Sequence, residues 1–461
     1  MTGLPAGRLR VRTAAVPDPG DLHAAIPGPE AVHSWVRHRA GLVGWGEAAT
    51  VTLPAGNDRF TAGEKWLREV FDGADVRDEV RVHGTGLIAF GSFTFDDTSD
   101  GSVMSIPAAV LGRDGAGRAW LTTISAEGEN AAAPGPADGA VPASFADARI
   151  VGWRDGALSA GQWQDAVAEA VRRITRGDLR KVVLARDMYA TADRPIDART
   201  LLERLAARYP DCYAFACAGL VGATPELLIR RDGAEVRSLV LAGTMPRGDT
   251  PEQDARLAAA LLASAKEAEE HRYAADSVRH VLAPLCDPLD MSPGPELLTL
   301  PNVHHLGTRV VGRLAAARSA LALAAALHPT AAVGGDPTEV AVELIRELES
   351  MDRARYAGPV GWMDAHGNGE WGIALRCAQL DGARARLIAG CGIVGGSDPA
   401  AELAETMSKF RPMRSALEQH GTLQQLGTLK QHSALKQHGT LEQHGALKQQ
   451  GAPEQHRDPE Q

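Results

Sequence analysis

Two pairs of glutamates in this sequence stand three residues apart: Glu267 and Glu270 in SAKEAEEH, and Glu402 and Glu405 in PAAELAETMSKF. On a helix, positions i and i+3 share a face. Like charges there repel mildly unless a cation or water compensates. The plainer reading of either pair is a solvated acidic face. If the two helices met, the carboxylates would offer hard oxygen ligands to Mg²⁺ and leave positions open for a substrate carboxylate. Each pair has a lysine nearby, Lys266 and Lys409.

Lys181 raises a different question. It heads the apolar run KVVLAR, which reads as a short buried strand. Alternation puts Lys181, Val183 and Ala185 on one face and Val182, Leu184 and Arg186 on the other. Burying an ammonium group is costly. Lys181 therefore either ends the strand in water or faces a cavity, and the run alone favours water. Arg376, in GIALRCAQL, reads as a cation inside a second apolar strand. A buried arginine needs an anion partner. Two strand cations are harder to assign to solvent than one.

Three glycine-rich segments border apolar strands: LAGTMPRG (241–248), HPTAAVGGDP (328–337) and IAGCGIVGGSDP (388–399). They are either tight turns or places where backbone N–H groups approach an anion closely. None is a Walker loop or a G-x-G-x-x-G fingerprint, and nothing resembles G-x-S-x-G or H-E-x-x-H.

The elements that must position these residues are legible in outline. Apolar spacing predicts helices in AGEKWLREVFDGA, GQWQDAVAEAVRRITRGDL, RPIDARTLLERLAARY, PTEVAVELIRELESMDR and PAAELAETMSKFRPMRSALEQ. It also predicts one long helix over PEQDARLAAALLASAKEAEEHRYAADSVRHVLAPL. Between them lie strand pairs: CYAFACAGLVGATPELLIRR with AEVRSLVLAG, and VGWMDAHGNGEWGIALRCAQL with ARARLIAGCGIV. Strand pairs between helices suggest an α+β domain, not a doubly wound parallel sheet.

The 461 residues are 44% hydrophobic and 23% charged, an ordinary globular composition. A net charge of -10 argues against a general nucleic-acid surface. An anionic small substrate would need local cations or a metal. No run of about 18 apolar residues suggests a membrane span, and the N-terminal stretch lacks the apolar core of a signal peptide. Five cysteines, odd in number and without paired metal-ligand spacing, suggest reduced thiols in a cytosol. AEGENAAAPGPADGAVPASFADA reads as a surface linker. From Leu417 a six-residue unit recurs (LEQHGT, LQQLGT, LKQHSA and onward). One leucine in six gives no helical stripe, so the expectation is a disordered simple-sequence tail. The chain is accordingly divided into 1–150, 151–419 and a tail over 420–461.

In this order the words KVVLAR, GATPELLIRR, LVLAGTMPRG, SAKEAEEH, HHLGTRVVG, LHPTAAVGGDP, RYAGPVGW, GNGEWGIALRCA and IAGCGIVGGSDPAAELAETMSK resemble the chorismate-utilising enzymes, and within them the isochorismate synthases. The resemblance covers about residues 155 to 416, with 1–150 similar to the family's variable first portion. It implies a four-layer α/β/β/α domain of two antiparallel sheets flanked by helices. It also implies a buried active site, the dicarboxylate chorismate as substrate, Mg²⁺ as cofactor, and a monomer. Glu270 and Glu405 match the family's Mg²⁺ ligands, and Glu267 and Glu402 the neighbouring acids. Gly243, Thr244, Arg376, Gly390, Gly392 and Lys409 match positions that hold the substrate's carboxylates and ring. His305 matches a pocket histidine. Lys181 matches the general base that activates water, and Glu226 the general acid.

The implied reaction adds water at ring carbon 2 and releases the hydroxyl from carbon 4. One group takes a proton and another gives one. A free lysine is neutral only about once in 2,500 molecules at pH 7. Burial would lower its pKa and an adjacent carboxylate would oppose that, while Glu226 needs the upward shift that burial supplies. Within the family, anthranilate synthases have a glutamine where Lys181 stands. Aminodeoxychorismate synthases have a different glycine loop, and salicylate synthases have a threonine at the position matching Ala332. The alternatives that stay open are a salicylate synthase and a non-catalytic chorismate-binding scaffold. Three positions depart from the family's pattern: Ala331 stands for proline, Cys391 sits between two glycines, and Ala354 replaces a glycine.

Overall fold

The computed structural model describes residues 8–127 and 147–418. Most of the expected linker and the repeat tail lie outside those residues.

Twelve-residue strands set the scale of the fold. Lys181–Ala192 is buried over almost its whole length, which is why its sequence reads as a continuous apolar run and does not alternate. It belongs to a sheet of 13 strands; a second sheet has ten. The pairings are antiparallel, except that Leu9–Val16 runs parallel to Asp75–Asp78. The two sheets face each other across the main core, where Trp35, Phe90, Phe215 and Trp371 pack.

Eight α-helices lie among the described residues: Arg59–Gly73 (α1), Ala160–Arg176 (α2), Ala198–Arg208 (α3), Pro251–Ala263 (α4), Ala265–Leu282 (α5), Ala320–Leu327 (α6), Thr338–Glu349 (α7) and Pro399–Glu418 (α8). Helices α1, α4, α5 and α6 contact the ten-stranded sheet, and α2, α3, α7 and α8 the 13-stranded one. The result is the expected α/β/β/α layering. Local signals explain the helix ends. Ser159 and Gln162 form a capping box at the start of α2, and Gly177 closes it at φ 91°.

Two expectations are corrected here, and one helix is added. The single long helix over 251–285 is two helices broken at Ser264. That residue adopts extended geometry, and its hydroxyl caps α5 by accepting from Glu267 N. Helix α6 was not anticipated; ALALAAAL is apolar all round and is buried against the sheet, so it carries no amphipathic period. CYAFACAGLVGATPELLIRR does not pair as a whole with AEVRSLVLAG: it is three strands, Tyr213–Cys217 and Leu220–Thr224 in the larger sheet and Leu227–Asp232 in the smaller, and of these only the last pairs with Glu235–Pro246.

No helix among the described residues is long and apolar enough to cross a membrane. All five cysteines are free and buried.

Candidate active site

Glu226 sits where the chain leaves one sheet for the other. Leu220–Thr224 ends in the 13-stranded sheet, Leu227–Asp232 begins in the ten-stranded one, and Pro225 and Glu226 are the step between. The reverse step, from Gly369–Ile373 to Cys377–Asp381, carries Ala374, Leu375 and Arg376. The two steps are tied together. Thr224 Oγ1 donates to Ile373 O at 2.6 Å. Ile373 N donates to Glu226 O and Ala223 N to Arg376 O, each at 3.3 Å. Two residues far apart in sequence thus stand on one wall. Arg376 is not in a strand, as its apolar neighbours suggest. It occupies a bend at φ 51° and is half-buried. Its partner is also not the anion that burial would demand: Nη2 lies 3.5 Å from His305 Nε2.

These steps border a cavity. Of the residues singled out in the sequence, Glu226, Gly243, Thr244, Glu270, His305, Ala332, Arg376, Gly390, Gly392 and Lys409 line it. Lys181 does not reach its wall. It lies directly behind Gly392: a Cβ on that glycine would collide with Glu270 Oε1 and stand 3.0 Å from Lys181 Cε. A side chain at position 392 would therefore separate Lys181 from the cavity. Lys181 is fully buried, which excludes the solvated strand end. Its Nζ is 3.2 Å from Glu270 Oε1 and has no hydrogen-bond partner.

Glu226 is buried as well. Burial pushes its carboxyl up to about 8, and the Leu241 amide and the charges of Lys181, Arg376 and Lys409 only partly offset this. Near neutral pH the group carries its proton. His305 moves the other way, down to about 3, first through burial and then through the charges of Arg376 and Lys409. It is a neutral imidazole. Arginine can only donate, so His305 Nε2 accepts from Arg376 and Nδ1 carries the hydrogen, with Gly243 O at 3.3 Å and Thr244 Oγ1 at 3.1 Å.

Helix α5 shapes the opposite wall. The strand Glu235–Pro246 shifts register between Ala242 and Thr244, and Gly243 takes φ 80° there. Two side chains one turn apart on α5 hold this bulge: Glu267 accepts from Thr244 N at 2.9 Å, and His271 Nδ1 lies 3.1 Å from Ala242 O. His271 was missed in the sequence. Its spacing of four from Glu267 was the available signal.

The four glutamates from α5 and α8 form one electrostatic cluster, and lysines hold them in this structure. Lys266 lies 2.7 Å from Glu402 and 3.7 Å from Glu267. Lys409 lies 2.6 Å from Glu405 and donates to Gly390 O at 2.9 Å. Burial and then the charge of Glu270 push Glu267 up to about 7. Burial also raises Glu405; Lys409 opposes this, while Glu402 and Glu270 add to it. Glu402 Oε2 is buried without a hydrogen-bond partner. The donor set fits a hard divalent cation: the ligands are all carboxylate oxygens, two are disfavoured as anions, and one oxygen is unpartnered. With the acids turned to their lysines, no three described His, Cys, Asp or Glu side chains converge as a ligand group. A cation would have to draw them from those lysines.

The departures from the family's pattern acquire physical content. Ala331 N donates to Ser277 Oγ at 3.3 Å, a bond that proline could not make. Cys391 Sγ faces the carbonyl of Glu402 at 3.7 Å. Ala354 sits at φ 48°, a conformation that favours glycine. Sequence reasoning also missed Arg353 and Tyr356, which line the cavity; both lie in or beside the RYAGPVGW segment.

Residues 144–418 match the model of a family described as chorismate binding enzyme. A Mycobacterium tuberculosis (strain H37Rv) protein provisionally named isochorismate synthase MenF is 42% identical over 353 residues, 72% of this chain and 87% of its own. Isochorismate synthase DhbC of Bacillus subtilis is 42% identical over 267 residues, 55% of this chain and 67% of its own. Among solved structures, the menaquinone-specific isochorismate synthase MenF of Escherichia coli is similar at a TM-score of 0.72 and 25% identity, covering 90% of this chain and 96% of that one.

Proposed function

The chain belongs to the chorismate-binding enzyme family, and from that premise we propose that it is an isochorismate synthase. It converts chorismate to isochorismate by adding water at C2 and releasing the C4 hydroxyl. The observation that carries this reading is Glu226: a carboxyl that keeps its proton to about pH 8, on the wall of a cavity it shares with Arg376 and Lys409.

Glu226 gives its proton to the departing C4 hydroxyl, which would otherwise leave as hydroxide. Lys181 takes a proton from the attacking water, with Gly392 leaving the approach to it open. Arg376, Lys409 and the Thr244 hydroxyl meet the substrate's carboxylates; neutral His305 orients Arg376 without adding charge. Glu270 and Glu405 would hold Mg²⁺, with Glu267 and Glu402 in support. When bound, the ion neutralises the ring carboxylate of a substrate that enters an acidic protein. Ala332 presents a methyl group to the cavity and no hydroxyl, which supports release of the product intact. We take the enzyme to act as a monomer in a reducing cytosol, in keeping with its five free cysteines. Its product would feed menaquinone or catecholate siderophore synthesis, since the relatives include enzymes named for menaquinone and a DhbC.

The test is direct. Purified protein with chorismate and Mg²⁺ is expected to form isochorismate, with EDTA stopping turnover and added Mg²⁺ restoring it. Salicylate with pyruvate as the product would replace this reading with a salicylate synthase. Binding without turnover would leave a scaffold.

A further inference from the structure

The strand that carries Lys181 has one complete edge and one broken edge. On the complete edge, Val182 to Thr191 pair continuously with Arg384–Ile393. On the other, Lys181 and Val182 pair with Asp336 and Gly335, and Met188 to Ala192 pair with Ile150–Asp155. The residues between have no partner strand. Their backbone groups are buried, so each must find another partner.

Every one does. Val183 N donates to Gly334 O at 2.8 Å. Val183 O accepts from Arg353 Nη2 at 2.7 Å. Ala185 N donates to Glu349 Oε1 at 2.7 Å. Ala185 O accepts from Trp163 Nε1 at 3.2 Å. Three of the four partners are side chains, and two of these are bound to each other: Arg353 donates through Nε to Glu349 Oε2 at 2.9 Å and through Nη2 to Oε1. Arg353 Nη1 also donates to Val333 O at 2.9 Å, beside Ala332 on the cavity wall. The pair is almost inaccessible, at 2% and 3% exposure.

We propose that Glu349 and Arg353 replace the missing strand pairing at Val183 and Ala185 and thereby position Lys181 and the Ala332 turn for the reaction. The inference rests on the isochorismate synthase reading for its kinetic consequence but not for its structural one. The guanidinium is suited to the task because its planar fork serves the carboxylate and two carbonyls at once. A lysine carries the charge but cannot span the three acceptors. Arg353 and Glu349 are positioning residues: neither is asked to touch the reacting atoms.

The experiment uses the full chain with Arg353→Ala, Arg353→Lys and Glu349→Gln, read by steady-state kinetics with chorismate and Mg²⁺ and by peptide-resolved hydrogen exchange. Arg353→Ala is expected to lose about 100-fold in kcat, with KM within about threefold of wild type. Millimolar methylguanidine should recover part of the rate and methylammonium none. Arg353→Lys should stay impaired. In all three variants the amides of 182–187 should exchange at least about tenfold faster, while the strand Gly369–Ile373 keeps its protection. Wild-type turnover in Arg353→Lys, or a rise in KM with kcat unchanged, would overturn the proposal; the latter would make Arg353 a substrate ligand. Should Arg353→Ala not fold, Arg353→Lys and Glu349→Gln carry the same test. If the wild-type protein turns over no chorismate, the functional reading fails, and the exchange of 182–187 still decides whether the pair braces the strand.

Discussion

The same side chain works under opposite regimes on the wall of this cavity and in the helix pair beside it. Glu226 stands on the step between the sheets, and burial, only partly offset by the charges of Lys181, Arg376 and Lys409, leaves it protonated to about pH 8. Beside the cavity, with Glu270 on its wall, Glu267, Glu270, Glu402 and Glu405 share two helix faces and are held by Lys266, Lys181 and Lys409. The first region isolates a proton. The second collects negative charge and supplies the countercharge for it. A carboxyl's protonation follows from its neighbours: desolvation without a close cation favours the neutral acid, and ion-paired lysines favour the anion.

The sharpest way to break this comparison is to remove the isolated proton. Glu226→Gln keeps the shape but cannot donate in the same way, and Lys181→Ala removes the proposed base. Each is expected to lose at least about 100-fold in rate with substrate binding retained. Near-normal turnover in either would end the acid–base assignment.

On the charged side, Glu267→Gln should weaken Mg²⁺ by about 10–100-fold, read by titration calorimetry with substrate present. Unchanged Mg²⁺ affinity would detach the cluster from metal binding.

A pH series separates the regions further. The rate contribution of protonated Glu226 should fall as pH rises through about 8. The stability consequence has a definite sign. The folded-state pKa lies above the ordinary 4.5, so the folded protein binds more protons than the unfolded chain between those values, and stability declines as pH rises across them. Glu226→Gln has no such loss. Its melting temperature should gain on wild type steadily from about pH 5 to pH 8, even as activity is lost. A constant difference would show that Glu226 ionises normally in the folded protein.

The smallest expected effect lies away from the chemistry. Ala354→Gly relieves a left-handed backbone conformation and should stabilise by at most about 1 kcal/mol, measured by denaturant unfolding, with turnover unchanged.

Much of this was legible in the sequence for identifiable reasons. The acid pairs on α5 and α8 are visible because helical spacing fixes which residues share a face. The Lys181 strand is visible because a fully buried strand is an apolar run. The break at Ser264 was hidden, because a serine among helix formers is compatible with an interior position and only its cap bond reveals the end. Arg376 was misread for a related reason: a crossover between two buried strands is as apolar as a strand.

The sequence by itself determined which acids, bases and cations are present, and how the local elements group them along each helix and strand. Tertiary structure alone decided that the steps at Glu226 and Arg376 meet, that Gly392 packs against Glu270 and Lys181, and that Glu226 keeps its proton. Periodicity is a property of neighbours along the chain. Proximity and dielectric environment are properties of neighbours in space, and these set the pKa.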